Sequence, residues 1–274
     1  MQAALRLSSS TCTRFLALVP GSPPRFASMS SRNSAPLGST VLPVYSASGG
    51  PRGNGHVTFN RAQSQYLDAG SRTLNIATNG GLTIVAVVRF TGTAGNWERI
   101  IDLGSGSDTN NVLLSRWSTN SGFHLAFVTS YQYRPVEDFI PNMIEQDSWV
   151  TVVVRYSAST RQYVVKVNNA ADYAGTASAT VPDRTVSGTY MGRSAWSSDA
   201  YFNGDMAGVF VVDEYLSADT ASVIVESMAR GEDLTTQGPC APQVLSPLLP
   251  VVLSSVDLYP SLSLTRFVSL LPLQ

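Results

Sequence analysis

Between residues 55 and 233 the chain is a succession of short apolar runs separated by turn-forming residues, and few architectures accept that spacing. In Leu82-Thr-Ile-Val-Ala-Val-Val-Arg-Phe90 the two-residue period of an extended strand puts Leu82, Ile84, Ala86, Val88 and Phe90 on one face. Trp149-Val-Thr-Val-Val-Val-Arg-Tyr156 and Gln162-Tyr-Val-Val-Lys-Val-Asn168 flank a short polar stretch and read as a hairpin, with Trp149 assigned to the core. Residues 99–103, 111–115, 123–128 and 206–212 supply further strands. The pattern predicts an all-β, two-sheet antiparallel jelly-roll sandwich with one short C-terminal helix and extended tails.

That helix is expected over residues 218–230. Ser217 is placed to cap it, Asp219 complements the positive end of its dipole, and Gly231 can take the left-handed conformation that ends it. Leu216, Ala221, Ile224, Val225 and Met228 form an apolar stripe, which is expected to pack on a sheet edge.

The ends differ from the body. Residues 1–32 carry arginines and serines but no acid, the composition of an organelle transit peptide. A secretory signal is the rival reading, but its apolar core, Phe15-Leu-Ala-Leu-Val19, is shorter than the ~7–15 residues such signals use. A disordered leader or a start at Met29 are the others. Residues 33–54 read as a linker, 55–236 as the folded domain, and 237–274 as a Pro/Leu-rich tail. Prolines at 247, 250, 260 and 272 interrupt that tail, so no membrane-spanning helix is expected there. Cys12 and Cys240 both fall outside the domain, which leaves the sandwich without a disulfide of its own.

Several segments carry a resemblance, in order along the domain. Val57-Thr-Phe-Asn60 with Gln65-Tyr-Leu-Asp68, the strand from Leu82, Ser148-Trp-Val-Thr151, Met191-Gly-Arg-Ser194 and Tyr201-Phe-Asn-Gly-Asp-Met-Ala207 running through Tyr215-Leu-Ser217 into the helix are similar to the laminin G-like, concanavalin A-like lectin and glucanase jelly rolls. Where that family has an Asp-Gly turn, this chain has Asn168-Asn169, which also tolerates a left-handed turn. The resemblance implies a β-sandwich that binds carbohydrate or protein partners, sometimes through calcium at one rim.

Net charge is −1, from 18 basic and 19 acidic residues, so no field exists to attract nucleic acid. Catalysis finds little support. Retaining glucanases on this sandwich carry Glu and Asp at alternating strand positions, and no Glu-x-Asp-x-x-Glu occurs. Of the two histidines, His124 is expected to be a solvent-facing or hydrogen-bonded sheet residue and His56 opens a strand. Calcium has one candidate loop, with Asp102, Asp108, Asn110 and Asn111 as ligands; an ordinary turn is the alternative. Asp199 with Asn203 is a second, weaker pair. For sugar, which offers an apolar face and a ring of hydroxyls, the candidate platforms are Trp97, Trp117, Tyr131, Tyr133, Trp196 and Tyr201, with Arg116, Arg134 and Arg193 as donors. The expected function is a non-catalytic, lectin-like module recognising glycan at a rim or across a concave sheet. The alternative is a structural subunit that uses the sandwich and its arms as a protein-interaction surface.

Overall fold

The computed structural model describes residues 41–232 and the backbone of two strands at 15–19 and 25–28. Cys12, Cys240 and the tail 237–274 lie outside the described residues. In chain order the strands are β1 (Phe15–Val19), β2 (Arg25–Ser28), β3 (Val44–Ser46), β4 (His56–Phe59), β5 (Leu67–Asp68), β6 (Arg72–Leu74), β7 (Gly81–Phe90), β8 (Arg99–Gly104), β9 (Val112–Arg116), β10 (Phe123–Phe127), β11 (Val136–Ile140), β12 (Trp149–Ser157), β13 (Gln162–Val167), β14 (Tyr173–Thr176), β15 (Arg184–Val186), β16 (Gly188–Met191) and β17 (Gly204–Val212), followed by helix α1 (Ala218–Arg230).

Two antiparallel sheets stack. One has nine strands, running β14-β13-β12-β7-β17-β1-β2 with β3 and β4 attached beside β17; the other has six, in the order β11-β10-β9-β8-β16-β5. β6 and β15 pair separately. The predicted sandwich is therefore present, as is the β12–β13 hairpin. At its far end Asn168 adopts the left-handed conformation (φ 48°), and its side chain accepts a hydrogen bond from the Thr151 N–H.

Leu82, Ile84, Ala86, Val88 and Phe90 all enter the core between the sheets, facing Ile101, Leu114, Phe123 and Leu125 of the second sheet. Val85 and Val87, on the opposite face of β7, are buried too, which explains why this strand shows no polar alternation. Their cover is α1. Ser217 caps the helix by accepting from the Thr220 N–H, and Gly231 ends it with φ 71°. Leu216, Ala221, Ile224 and Met228 pack on Val85, Val87, Phe210 and Val212. The helix thus roofs the outer face of β7 and β17 rather than a sheet edge, because those central strands are apolar on both sides. Trp149 belongs to this outer layer: it is half-buried, and the Arg89 guanidinium lies 5.0 Å from its ring.

From residue 41 onward the segment read as a linker is bonded to the body. β3 pairs with β4, the Gln65 amide donates to the Leu42 carbonyl at 2.8 Å, and Arg52 meets Glu226 of α1 at 2.6 Å. The apolar run 15–19, inside the expected leader, pairs with β17 through four register positions from Phe15–Val212 to Leu18–Val209.

A polar clamp joins the sheets at one edge. Asp138 on β11 accepts hydrogen bonds from the hydroxyls of Tyr163 on β13 and Tyr173 on β14. Burial first, then the Asp138 hydrogen bond and charge, pushes the Tyr163 hydroxyl above its ordinary value of 10.0. A folded-state value raised in this way contributes stability that is present below the unfolded value and lost as pH rises above it. Tyr163→Phe should accordingly show a shallower decline of melting temperature above pH 10 than the parent protein. Parallel declines would refute the clamp's role.

Candidate functional site

Alternation along the second sheet sends Ile101, Leu103, Val112, Leu114, Phe123, Leu125 and Phe127 inward. The residues between them face out, and the register aligns them in rows. One row runs Asp68, Tyr190, Asp102, Leu113, Ala126, Glu137; the next includes Arg99, Ser115, His124 and Phe139. On this face, which α1 does not cover, lies an open cleft of about 180 Å³. Leu113, Ala126 and Val128 form its apolar floor, Trp97 and Trp196 rise beside it, and Arg99, His124, Arg134, Glu137 and Asp199 supply its polar lining.

Each aromatic wall is held by its loop. Trp97 sits in the left-handed region (φ 57°) just before β8, and its N–H donates to the Ser118 carbonyl. Next to it, buried Glu98 accepts from Arg116 at 2.7 Å, Arg61 at 2.6 Å and the N–H groups of Gly95 and Asn203 at 3.1 Å each, which anchors the loop into the rim. Trp196 is carried by the segment after β16. Its backbone N–H donates to the Ser194 hydroxyl, its indole N–H to Asp108 at 3.3 Å, and its ring lies 5.3 Å from the Arg99 guanidinium.

The charges in the cleft are arranged in pairs. Arg99, 4% exposed, donates to Asp199 at 2.8 Å and to the Trp97 carbonyl. Arg134 bonds Asp108 at 2.7 Å and Glu137 more closely still. His124 is 5% exposed, stacked on Phe139 at 4.8 Å with 11° between the planes, and edge-on to Trp97 at 5.1 Å. Neither ring nitrogen has a hydrogen-bond partner; Nε2 stands 3.6 Å from Glu137, beyond hydrogen-bond length. Burial pushes the His124 imidazole below its ordinary value of 6.5, and the nearby Arg99 and Arg134 charges act in the same direction against Glu137. Burial thus favours the neutral imidazole, which has one donor and one acceptor.

Asp102 is fully buried on the same face. Burial raises its carboxyl above the ordinary 3.8 against the opposing pull of Arg99 and of hydrogen bonds from Ala195 N–H and the Asn111 amide. The four residues of the candidate calcium loop are thus divided. Asn111 turns its NH2 toward Asp102, its oxygen accepts from Thr109 N–H, and Asp108 serves Arg134 and Trp196. Asn110 takes φ 55°, as does Asp108, in the bend between. Asp199 goes to Arg99 and Ser194, while Asn203 bonds Thr91 and Arg61. Among the described residues no group of three or more His, Cys, Asp or Glu could hold a metal ion.

Of the expected sugar platforms, Trp97 and Trp196 meet at the cleft. Trp117 packs behind it, 5.1 Å from Phe139. Tyr201 instead lies 6.1 Å from Tyr66, and the Arg193 guanidinium is held between the rings of Tyr66 at 4.8 Å and Tyr190 at 4.9 Å. Tyr131 and Tyr133 occupy a turn and are 74% and 44% exposed. Arg116 is buried on Glu98. Sequence reasoning missed Arg99, Glu137 and His124. His124 does face away from Phe123 and Leu125 as alternation required, yet it is neither solvent-facing nor hydrogen-bonded. The signal available was its place in β10 beside an apolar outward neighbour, Ala126.

No curated protein sequence matches the chain. Among solved structures it is similar to the CBM40 of the Ruminococcus gnavus IT-sialidase bound to alpha2,3-sialyllactose, at 13% identity over 72% of this chain and 100% of that one, with a TM-score of 0.47. It is also similar to the enzymatically active domain of tailspike protein 2 of bacteriophage CBA120, at 14% identity over 73% of this chain and 31% of that one, with a TM-score of 0.50. At 14% identity the latter likeness concerns the fold alone. Among the described residues no helix is long and apolar enough to cross a membrane. Residues 60–222, which span β5 to the first turn of α1, match the model of the concanavalin A-like lectin/glucanases superfamily, and the chain belongs to that family.

Proposed function

We propose that this domain is a non-catalytic, lectin-like module whose cleft on the outer face of the six-stranded sheet binds glycan. One observation carries the reading: two indole side chains from distant loops flank an apolar floor ringed by hydrogen-bonding groups. A pyranose presents an apolar C–H face and a belt of hydroxyls, so it needs that combination. Membership of a lectin and glucanase superfamily agrees with it. Both carboxylates lining the cleft are committed to arginines, Asp199 to Arg99 and Glu137 to Arg134, and the reading assigns neither a hydrolytic role. It needs no calcium, since Asp102 and Asp108 already have protein donors.

Trp97→Ala and Trp196→Ala, assayed by glycan array and titration calorimetry, are each expected to weaken binding about thirtyfold or more, the loss of a buried aromatic anchor worth about 2 kcal/mol. Unchanged affinity in both would sink the proposal. A protein-interaction role remains the second reading, favoured by Tyr131 and Tyr133, which stand exposed on a turn outside the cleft lining.

A further inference from the structure

We propose that Arg193 forms a second subsite on the same sheet face as the cleft, and that it takes an oxyanionic group, carboxylate or sulfate, carried by the glycan; this rests on the glycan-binding reading above.

Its position follows from the strand register. Along the outward row Tyr190 on β16 pairs with Asp102 on β8, which pairs with Leu113 of the cleft floor on β9. Neighbouring strands stand about 4.8 Å apart, so Tyr190 lies roughly 10 Å from that floor on one continuous face. The segment after β16 crosses the row at Asp102, where the Ala195 N–H donates to the carboxylate at 3.0 Å. It carries Arg193 beside Tyr190 and Trp196 at the cleft. A ligand of more than one sugar residue spans both.

The chemistry follows from what surrounds the guanidinium. Arg193 is half-buried, in the corner of two rings that meet at 78°, 4.8 Å from the Tyr66 centroid and 4.9 Å from the Tyr190 centroid. Aromatic rings restrain a guanidinium and attract its charge without using its N–H groups. Among the described residues this guanidinium forms no hydrogen bond or ion pair, whereas Arg99 and Arg134 at the cleft bond Asp199 and Asp108. Asp68 stands opposite Tyr190 in the row, but its Oδ1 accepts from the Gly70 and Thr189 N–H groups, and it makes no ion pair with Arg193. A planar fork of donors is thus left for a ligand, and it matches two oxygens of a carboxylate or sulfate at once. A neutral hydroxyl also accepts from it, but a charge-assisted bond is roughly twice as strong. Because the rings already hold the side chain, an incoming oxyanion has less rotamer freedom to freeze than at an unrestrained surface arginine.

The test uses the whole chain on an array of matched neutral, uronic acid and sulfated glycans. Calorimetry then compares the best acidic hit, carboxylated or sulfated, with its neutral counterpart. The acidic member is expected to bind about tenfold or more tightly. Arg193→Gln should abolish that difference while affinity for the neutral member stays as in the parent, which also shows that the variant is folded. Arg193→Lys, which keeps the charge but loses the fork, should retain only part of the preference. Equal affinity for acidic and neutral members in the parent, or an acidic preference that survives in Arg193→Gln, would overturn the inference. If binding depends on Trp97 and Trp196 but not on Arg193, the glycan reading stands and only this inference falls. If Arg193→Gln loses the acidic preference while Trp97→Ala and Trp196→Ala bind like the parent, the subsite stands and the cleft reading falls. Absence of binding to any glycan sinks both.

Discussion

Glu98→Ala is expected to lower stability by about 3–5 kcal/mol, which for a domain of this size is a drop in melting temperature of roughly 10 °C or more. The reason is the number of groups that depend on one carboxylate. Arg116, 3% exposed, and Arg61 donate to it from two different elements, and the N–H groups of Gly95 and Asn203 complete its coordination. Removing the carboxylate leaves the Arg116 charge buried, with only the Asn120 carbonyl, the Gln146 amide oxygen and the Phe90 ring for company. Surface ion pairs are worth far less, and Arg52→Ala, which breaks the exposed pair with Glu226, serves as the contrast. Because Glu98 lies between Trp97 and Arg99, the glycan binding proposed for the cleft is expected to weaken along with stability. Thermal denaturation of the two variants decides the matter: equal, small shifts would show that the network contributes nothing.

Gly204→Ala is expected to be as damaging, for a reason of space. Gly204 opens β17 with φ 146°, and a methyl group there would stand 2.0 Å from the Arg89 carbonyl oxygen of β7. No rotamer relieves a clash between backbone and Cβ, so β17 would have to leave β7 at the point where Gly204 pairs with Phe90 and Phe59. A cost of about 3 kcal/mol or more follows from losing that pairing in the core. Gly53 is the control. It too has positive φ (75°), but a methyl there meets nothing within 4 Å, so Gly53→Ala should cost only about 1 kcal/mol of backbone strain. If denaturation gives the two variants the same midpoint, close approach is not what Gly204 provides.

Features with local causes could be read from the chain alone. The parity of β7, the β12–β13 hairpin and both caps of α1 each depend on residues within one or two turns of each other, and each is where the sequence placed it. The seat of α1 was not legible. An amphipathic stripe shows which side of a helix is buried but not against what, and only the two-sided apolarity of β7 and β17 makes a sheet face the better surface. The run 15–19 illustrates another limit, since five apolar residues suit a strand or part of a buried helix alike. At the site, residue type suggested Trp97 and Trp196 but also Tyr131, Tyr133 and Tyr201, which do not line the cleft. Loops far apart in the chain decide which rings meet. His124 was invisible for the same reason: its isolation from hydrogen-bond partners is created by Phe139 and Trp97, neither of which is its neighbour in sequence.

The pairing of Phe15–Val19 with the Val209–Val212 half of β17 gives the first residues of the chain a bearing on solubility. A shorter product beginning after Ser28 would expose a row of backbone donors and acceptors on a central, apolar strand, and such a margin recruits whatever extended peptide is at hand. Trimming the amino terminus, by a processing protease or by the designer of an expression vector, would therefore change how readily the protein sticks to itself even though every residue lining the cleft was retained.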